Sequence, residues 1–571
     1  MAKQKEKRRQ ETPTSKATPA GGATTTLANW NWYWVLAGMA AVILGFIVYS
    51  PALNGPFVLD DIYQYFGRPD AARIGFASWI TGGRTLLNAT FWLNYQVSGI
   101  ATGPYHEANV VLHALTSLVV LVMTRRLWQL AGGVGEWAPA VAAALFLLHP
   151  IQVESVAYVS SRSDVLSVLF AYSALALQLT SKETALSLWR ILAMLVCLGM
   201  AVLTKEHTAA MPAVFLLADY FWRGGWQGIR ANWRLHGAMV LAGAAGLAFV
   251  ARTLSGAKSA GFSIKDLTPA AYLFTQFRMF WRYLRLLVLP VGLNVDPDIP
   301  VSHSLVDHGA VFGLVAILAV LAGAWMLRHR APLAAFGIAI FVVLLAPTSS
   351  FIPIVDVFAE RRAYLPLLGI CCLALEAFRR WKIPMAAPAA ILALLAYGTW
   401  QRSAVWASEE ALWTDTVAGS PAKYRPRFQL AYARYAAGRC AEASRDFEVA
   451  SRLAKPDEVL FVDWALALDC EGKPSDALGK LQQAGQLQNS AHVWSLIGMM
   501  QAKLNNLESA LASLDEAQAR DASFAMTYVY RGNVYLLQGR RADAQAQFQR
   551  ALQLEPGNTA AIQAMASLGR P

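Results

Sequence analysis

Charge is scarce in this sequence. Only 15% of its 571 residues are Asp, Glu, Lys or Arg, where soluble domains carry about 25%. That deficit excludes a wholly soluble protein and a disordered tail protein. Cysteine is scarcer still. Its five copies show no CxxC and no paired spacing, which excludes a zinc ribbon, a thioredoxin-like motif and a disulfide-rich secreted module. Cys197, Cys371 and Cys372 sit in apolar runs and read as small core residues. Cys440 and Cys470 fall in a soluble stretch, where a bridge between them is left open. Acidic residues are outnumbered, 37 against 49 basic ones, giving a net charge of +12. This excess does not point to nucleic acid. Many of the basic residues lie in short loops between apolar runs, where the positive-inside rule puts them.

What is present in quantity is apolar surface: 56% of residues are hydrophobic and the mean hydropathy is +0.36. The expected fold is all-α, a polytopic helical membrane part with a soluble array attached. Residues 1–29, basic and then Ser/Thr/Pro/Gly-rich, read as a disordered cytoplasmic tail. The run Trp32–Ser50 lacks a small-x-small site and reads as a retained signal anchor. Further spans are expected near 107–128, 137–150, 164–180, 189–204, 207–222, 236–252, 309–327, 333–347, 363–378 and 384–400, about eleven in all. Even-numbered crossings end on basic clusters: Arg125 and Arg126, Lys182 and Arg190, Arg223 to Arg234, Arg328 and Arg330, Arg379 to Lys382. The tail is therefore expected inside and the C-terminus outside. Two outer loops are long, Pro51–Tyr105 and Thr253–His308. In the second, Arg278, Arg282 and Arg285 recur at helical spacing within Ala270–Leu289. They suit an interfacial helix or a helix end with snorkelling arginines.

After Trp400 the composition turns to Ala, Gln, Glu, Arg and Leu. Gly438, Gly472, Asn505 and Gly539 recur at spacings of 34, 33 and 34, each followed five residues on by Ala443, Ala477, Ala510 and Ala544. Phe447, Leu481, Leu514 and Phe548 stand four further. This is a tetratricopeptide period, helix, tight turn, helix, with small Ala for close packing. Four repeats and a closing helix Thr559–Leu568 fit 401–571, an extracytoplasmic solenoid able to bind a partner. Residues 30–400 form the membrane domain.

Polar residues gather at the outer ends of the spans: Asp60-Asp61, His149 to Glu154, Ser161-Arg162-Ser163-Asp164, Lys205-Glu206-His207 and Glu360-Arg361-Arg362. Singly, each reads as a cap or an interhelical ion pair. Collected on one side of a membrane, where unpaired charge is costly, they imply a polar site.

The segments Leu145–Leu166, Leu203–Asp219 and Ala359–Gly369, together with Tyr105–Leu127 (His106, Asn109, His113) and Asp60-Asp61, resemble the transmembrane and tetratricopeptide repeat-containing protein O-mannosyltransferases. The resemblance covers nearly the whole chain. It implies a GT-C fold and an inverting glycosyltransferase with a polyprenyl-phosphate sugar donor and an acidic motif in the first outer loop. Three features depart from the animal proteins: Thr253–His308 has no long insertion, only four repeats follow, and Arg362 stands where the family reads ERYLYLP. These favour a bacterial relative.

On this reading a carboxylate accepts the proton of a Ser or Thr hydroxyl of an exported protein. Adjacent residues of an extended loop point to opposite faces, so one of the pair is the base. Asp60 is favoured, with Asp61 orienting the acceptor or holding a divalent cation, though no His/Asp cluster of ligand spacing demands a metal. Arg361 is the first candidate for the donor phosphate, ahead of Lys205, Arg162 and Arg278. Glu206 and Glu360 would pair with those cations, and Glu154 and His149 are supporting polar residues. The rival readings are transfer to a glycan or lipid and a non-catalytic scaffold whose repeats recruit partners.

Overall fold

The computed structural model describes residues 26–68, 70–81, 84–243, 260–262, 264 and 267–568. Among them the chain is helical throughout, with one isolated antiparallel bridge, Ala260 to Ile354. The sequence-predicted tail lies outside the described residues as far as residue 25, and the first helix begins at Thr26.

Among the described residues a helix lies within each predicted span, but few of these helices are long and apolar enough to cross a bilayer as single rods. Four described helices combine sufficient length and apolarity: Trp32–Ala52, Gly103–Leu130, Val159–Thr180 and Asp307–Leu327. The expected span 137–150 ends early, at Leu148. His149 and Pro150 break it, and Trp137–Leu148 and Pro150–Ala157 meet at 46°. Leu188–Thr204 and Pro332–Leu345 are apolar but shorter. The expected span 207–222 starts as a 3-10 turn, Glu206–Ala210, before the helix Met211–Trp222. Twelve helical residues rise only about 18 Å, well short of a hydrocarbon core of about 30 Å. Among the described residues, polar turns and prolines shorten the other predicted spans. Of the expected span 236–252, residues 244–252 lie outside the described part.

The helices pack through one apolar core running from Ala41 to Leu412. At one close approach between two helices, both partners are glycine. A Cβ on Gly337 would sit 2.6 Å from the Gly369 carbonyl, and one on Gly369 would sit 2.5 Å from that of Gly337. Only small residues let two backbones approach so near.

The expected interfacial segment is the helix Pro269–Val288. Thr268 caps it, its hydroxyl accepting from Ala271 N at 3.2 Å. The array is as the period predicts: Tyr424–Ala436 with Cys440–Leu453, Glu458–Cys470 with Pro474–Leu487, Ala491–Lys503 with Leu507–Arg520, and Ala525–Leu537 with Arg541–Leu554, closed by Thr559–Leu568. Gly438, Gly472, Asn505 and Gly539 all hold positive φ, between 63° and 82°, the left-handed turn that Gly and Asn tolerate. A helix Glu409–Gly419 precedes the first pair. Cys440 and Cys470 form a disulfide between neighbouring pairs.

Candidate functional site at one end of the bundle

The acid pair does not lie in an extended loop. Leu59–Tyr63 is a 3-10 turn, and it sends the two carboxylates to different environments. Asp61 is fully buried. Its Oδ1 accepts from Ser160 N at 2.7 Å and Ser160 Oγ at 2.6 Å, and its Oδ2 from Val58 N at 3.2 Å. Burial pushes its carboxyl up to about 7, against the opposing pull of those hydrogen bonds. With both oxygens accepting from protein donors, Asp61 has little left for a cation. Asp60 is exposed, and its backbone N donates to the Tyr158 hydroxyl at 2.9 Å.

Tyr158 lies at the centre. It is 3% exposed, stacks on Trp406 at 6.0 Å, and is within electrostatic reach of Asp60, Asp61 and Arg361. Behind it, Glu154 is fully buried and takes Arg361 on both oxygens. The Arg361 backbone N lies at 3.0 Å from Oε2, and Nη1 binds Oε1. About a quarter of the Arg361 side chain, 26%, stays exposed. Asp164 pairs with Lys205 Nζ at 2.6 Å, with His207 Nε2 at 4.0 Å from the same carboxylate. Lys205 in turn feels Arg361 and Arg84, and Arg84 pairs with Glu206 at 3.3 Å. Four separate chain segments therefore contribute to one cluster of alternating charge.

Other sequence-predicted residues do different work. Arg162 lies beside Asp61 but is buried and fully engaged. Nε donates to Asn109 Oδ1 at 2.7 Å, Nη2 to the Tyr105 carbonyl at 2.9 Å, and the guanidinium sits 4.6 Å over the Phe91 ring. It staples the first outer segment to two helices. Arg278 faces away, donating to the Pro300 carbonyl at 2.8 Å and Ser302 Oγ at 3.0 Å. His149 caps the break after Leu148: Nδ1 accepts from Ile151 N at 3.2 Å, and Nε2 reaches the Leu287 carbonyl at 3.0 Å. Glu360 is buried against Asn294 N and, at 3.6 Å, Arg402. Burial pushes its carboxyl up to about 7. Among the described residues no three His, Cys, Asp or Glu side chains converge as a metal site would need.

Sequence reasoning gave no role to Tyr158, Ser160 or Arg84, and it named Asp164 only within the polar run Ser161–Asp164. Tyr158 and Ser160 lie within a segment singled out for its resemblance, three residues and one residue before the run Ser161–Asp164. Arg84, in an outer loop, carried no signal at all.

Residues 525–558 match the tetratricopeptide repeat family model. The protein O-mannosyl-transferase F38B6.6 of Caenorhabditis elegans is 25% identical over 416 residues, covering 67% of this chain and 55% of that protein. Human protein O-mannosyl-transferase TMTC3 is 23% identical over 539 residues, covering 83% and 58%. Human TMTC1 is 26% identical over 495 residues, covering 73% and 55%. The chain spans about half the length of the curated relatives it matches. Among solved structures, the tetratricopeptide protein YrrB is 21% identical with a TM-score of 0.24, covering 34% of this chain and 96% of that one. Along most of its length the chain is thus similar, at 23–26% identity, to proteins named protein O-mannosyl-transferase, and its C-terminal part carries a tetratricopeptide repeat.

Proposed function

We propose that this chain is a membrane glycosyltransferase. It moves a mannose-like hexose from a polyprenyl-phosphate carrier to Ser or Thr hydroxyls of exported proteins, with inversion at the anomeric carbon. The site lies on the extracytoplasmic side of a bacterial inner membrane, and residues 401–571 stand on that side as the acceptor-facing array. The observation that carries the reading is an exposed carboxylate, Asp60, fixed through its own backbone to Tyr158 within electrostatic reach of the partly exposed cation Arg361.

The acceptor oxygen attacks the anomeric carbon and its proton passes to Asp60. The bond from that carbon to the carrier oxygen breaks, and its electron pair leaves with the phosphate. Arg361 and Lys205 offset the charge that develops there. Asp61 holds the turn that aims Asp60. The similar proteins bear the name protein O-mannosyl-transferase, which supports a protein acceptor over a glycan or lipid one.

The test is transfer of labelled hexose from its polyprenyl phosphate to a Ser/Thr peptide by the purified full chain. Asp60→Asn is expected to lower the rate by about 100-fold or more while membrane insertion and melting temperature hold. Transfer at the wild-type rate by Asp60→Asn overturns the assignment.

A further inference from the structure

At the other end of the bundle, the structure points to a binding site for the phosphate of an anionic phospholipid headgroup. This site does not depend on the sugar-transfer reading. The helix Met211–Trp222 joins the two places. Its N-terminal side follows Lys205 and His207 of the charged cluster, and its C-terminal end, about 18 Å along the axis, opens into a cavity of about 760 Å³. Tyr220, Trp222, Trp226, Gln227, Arg328 and His329 line it. Gly224 and Gly225, both at positive φ of 87° and 69°, turn the chain tightly past its mouth.

Three observations favour an anion. Arg328 has no carboxylate partner among the described residues. Its Nη1 donates to the Trp325 carbonyl at 2.7 Å and its guanidinium lies 4.1 Å over the Trp325 ring. Its Nε, however, is buried without a hydrogen-bond partner among the described residues. A buried N–H of a permanent cation left unpaired costs free energy that an incoming oxygen would recover. The surroundings do not neutralise it either. Arg379 and Arg380 share one carboxylate, Glu376, and both reach the Arg330 carbonyl. Four arginines thus stand against a single acid around the 328–330 turn.

The rim identifies the anion as a lipid. Trp226 is 69% exposed, Trp325 54% and Met326 78%. A free phosphate has no use for such an apolar border, whereas glycerol and acyl chains do. Aromatic rings beside an arginine without a carboxylate partner, at the end of a membrane helix, are what a headgroup phosphate meets at the interface.

The experiment titrates the detergent-solubilised full chain with phosphatidylglycerol or phosphatidylcholine of equal chain length and counts retained lipid by native mass spectrometry. Wild type is expected to hold phosphatidylglycerol about fivefold more tightly, the worth of one interfacial arginine. Arg328→Gln should lose that preference and Arg328→Lys keep part of it. Millimolar inorganic phosphate should not displace the lipid. Equal retention of both lipids by wild type, full preference in Arg328→Gln, or displacement by inorganic phosphate overturns the proposal. Should Arg328→Gln fail to insert, Trp226→Ala on the exposed rim is expected to lose the preference, and wild-type preference in it counts against the site.

Discussion

Two aspartates side by side in the chain have opposite physical fates. Asp60 faces solvent, while Asp61 is buried and gathers three hydrogen bonds, two of them from Ser160, 99 residues further on. Its carboxyl is raised by burial from an ordinary 3.8 to about 7. A folded-state value above the unfolded one means that folding binds a proton in between. The contribution of Asp61 to stability is therefore full below about pH 4 and lost as pH climbs through about 7. Melting curves of wild type and Asp61→Asn should diverge accordingly. Wild type is expected to lose ground against the variant between pH 5 and pH 8, and a constant difference across that range would show that Asp61 is not held as described. The pair was legible in the sequence because two acids follow the first span. Which of them is exposed was not, because that depends on a partner from another helix. Arg162 teaches the same lesson in reverse. Its charge and position suggested a phosphate ligand, but Asn109 and the Tyr105 carbonyl occupy the guanidinium.

The turn that carries the acids is held from the far side. Leu59, immediately before Asp60, has φ of 54°, a left-handed conformation that costs a branched residue about 1–2 kcal/mol. Such a conformation persists only where packing enforces it. Leu59 is packed against Trp413, Val417, Leu430 and Ala433, from the helices that open the array. Nearby, a Cβ on Gly55 would sit 2.5 Å from the Trp406 carbonyl. The first helices of the repeats are thus part of the wall that aims Asp60. Leu59→Ala is expected to cost about 1–2 kcal/mol of stability, less than a fully buried leucine, and to reduce transfer about tenfold by loosening the turn. Trp413→Ala should do the same from the opposite face. Unaltered transfer in both variants, measured beside their melting temperatures, would separate the array from the site. The helices themselves were largely foreseeable from apolar runs, and the repeat turns from Gly and Asn at fixed spacing. Their breaks were less so: at His149-Pro150 the hydropathy signal runs on, while the backbone bends by 46°.

At the scale of the molecule, ion pairs fasten the array to the membrane part. Buried Arg402 lies between Glu360 at 3.6 Å and Asp415 at 2.5 Å, and Lys423 and Arg425 both meet Asp296 at 2.5 Å. Within the array the Cys440–Cys470 bridge closes a stretch of 30 residues across neighbouring pairs. Such a bridge suits an oxidising compartment, in keeping with the extracytoplasmic placement proposed for the repeats. A loop of that size gives about 3–4 kcal/mol in the chain-entropy model. Cys440→Ser together with Cys470→Ser should lower the denaturant midpoint of the array in the full chain, and an unchanged midpoint would show that the bridge adds nothing.

The sequence by itself determined the membrane helices, the tetratricopeptide period and the gathering of polar residues at span ends. Apolar runs, turn chemistry and charge at helix boundaries act over a few neighbouring residues and are written locally. Tertiary structure alone decided that Tyr158 lies within electrostatic reach of both acids and Arg361, that Arg162 is a staple, and that Leu59 is seated on the repeats. Those outcomes depend on which distant segments exclude water from one another, and no local pattern specifies that.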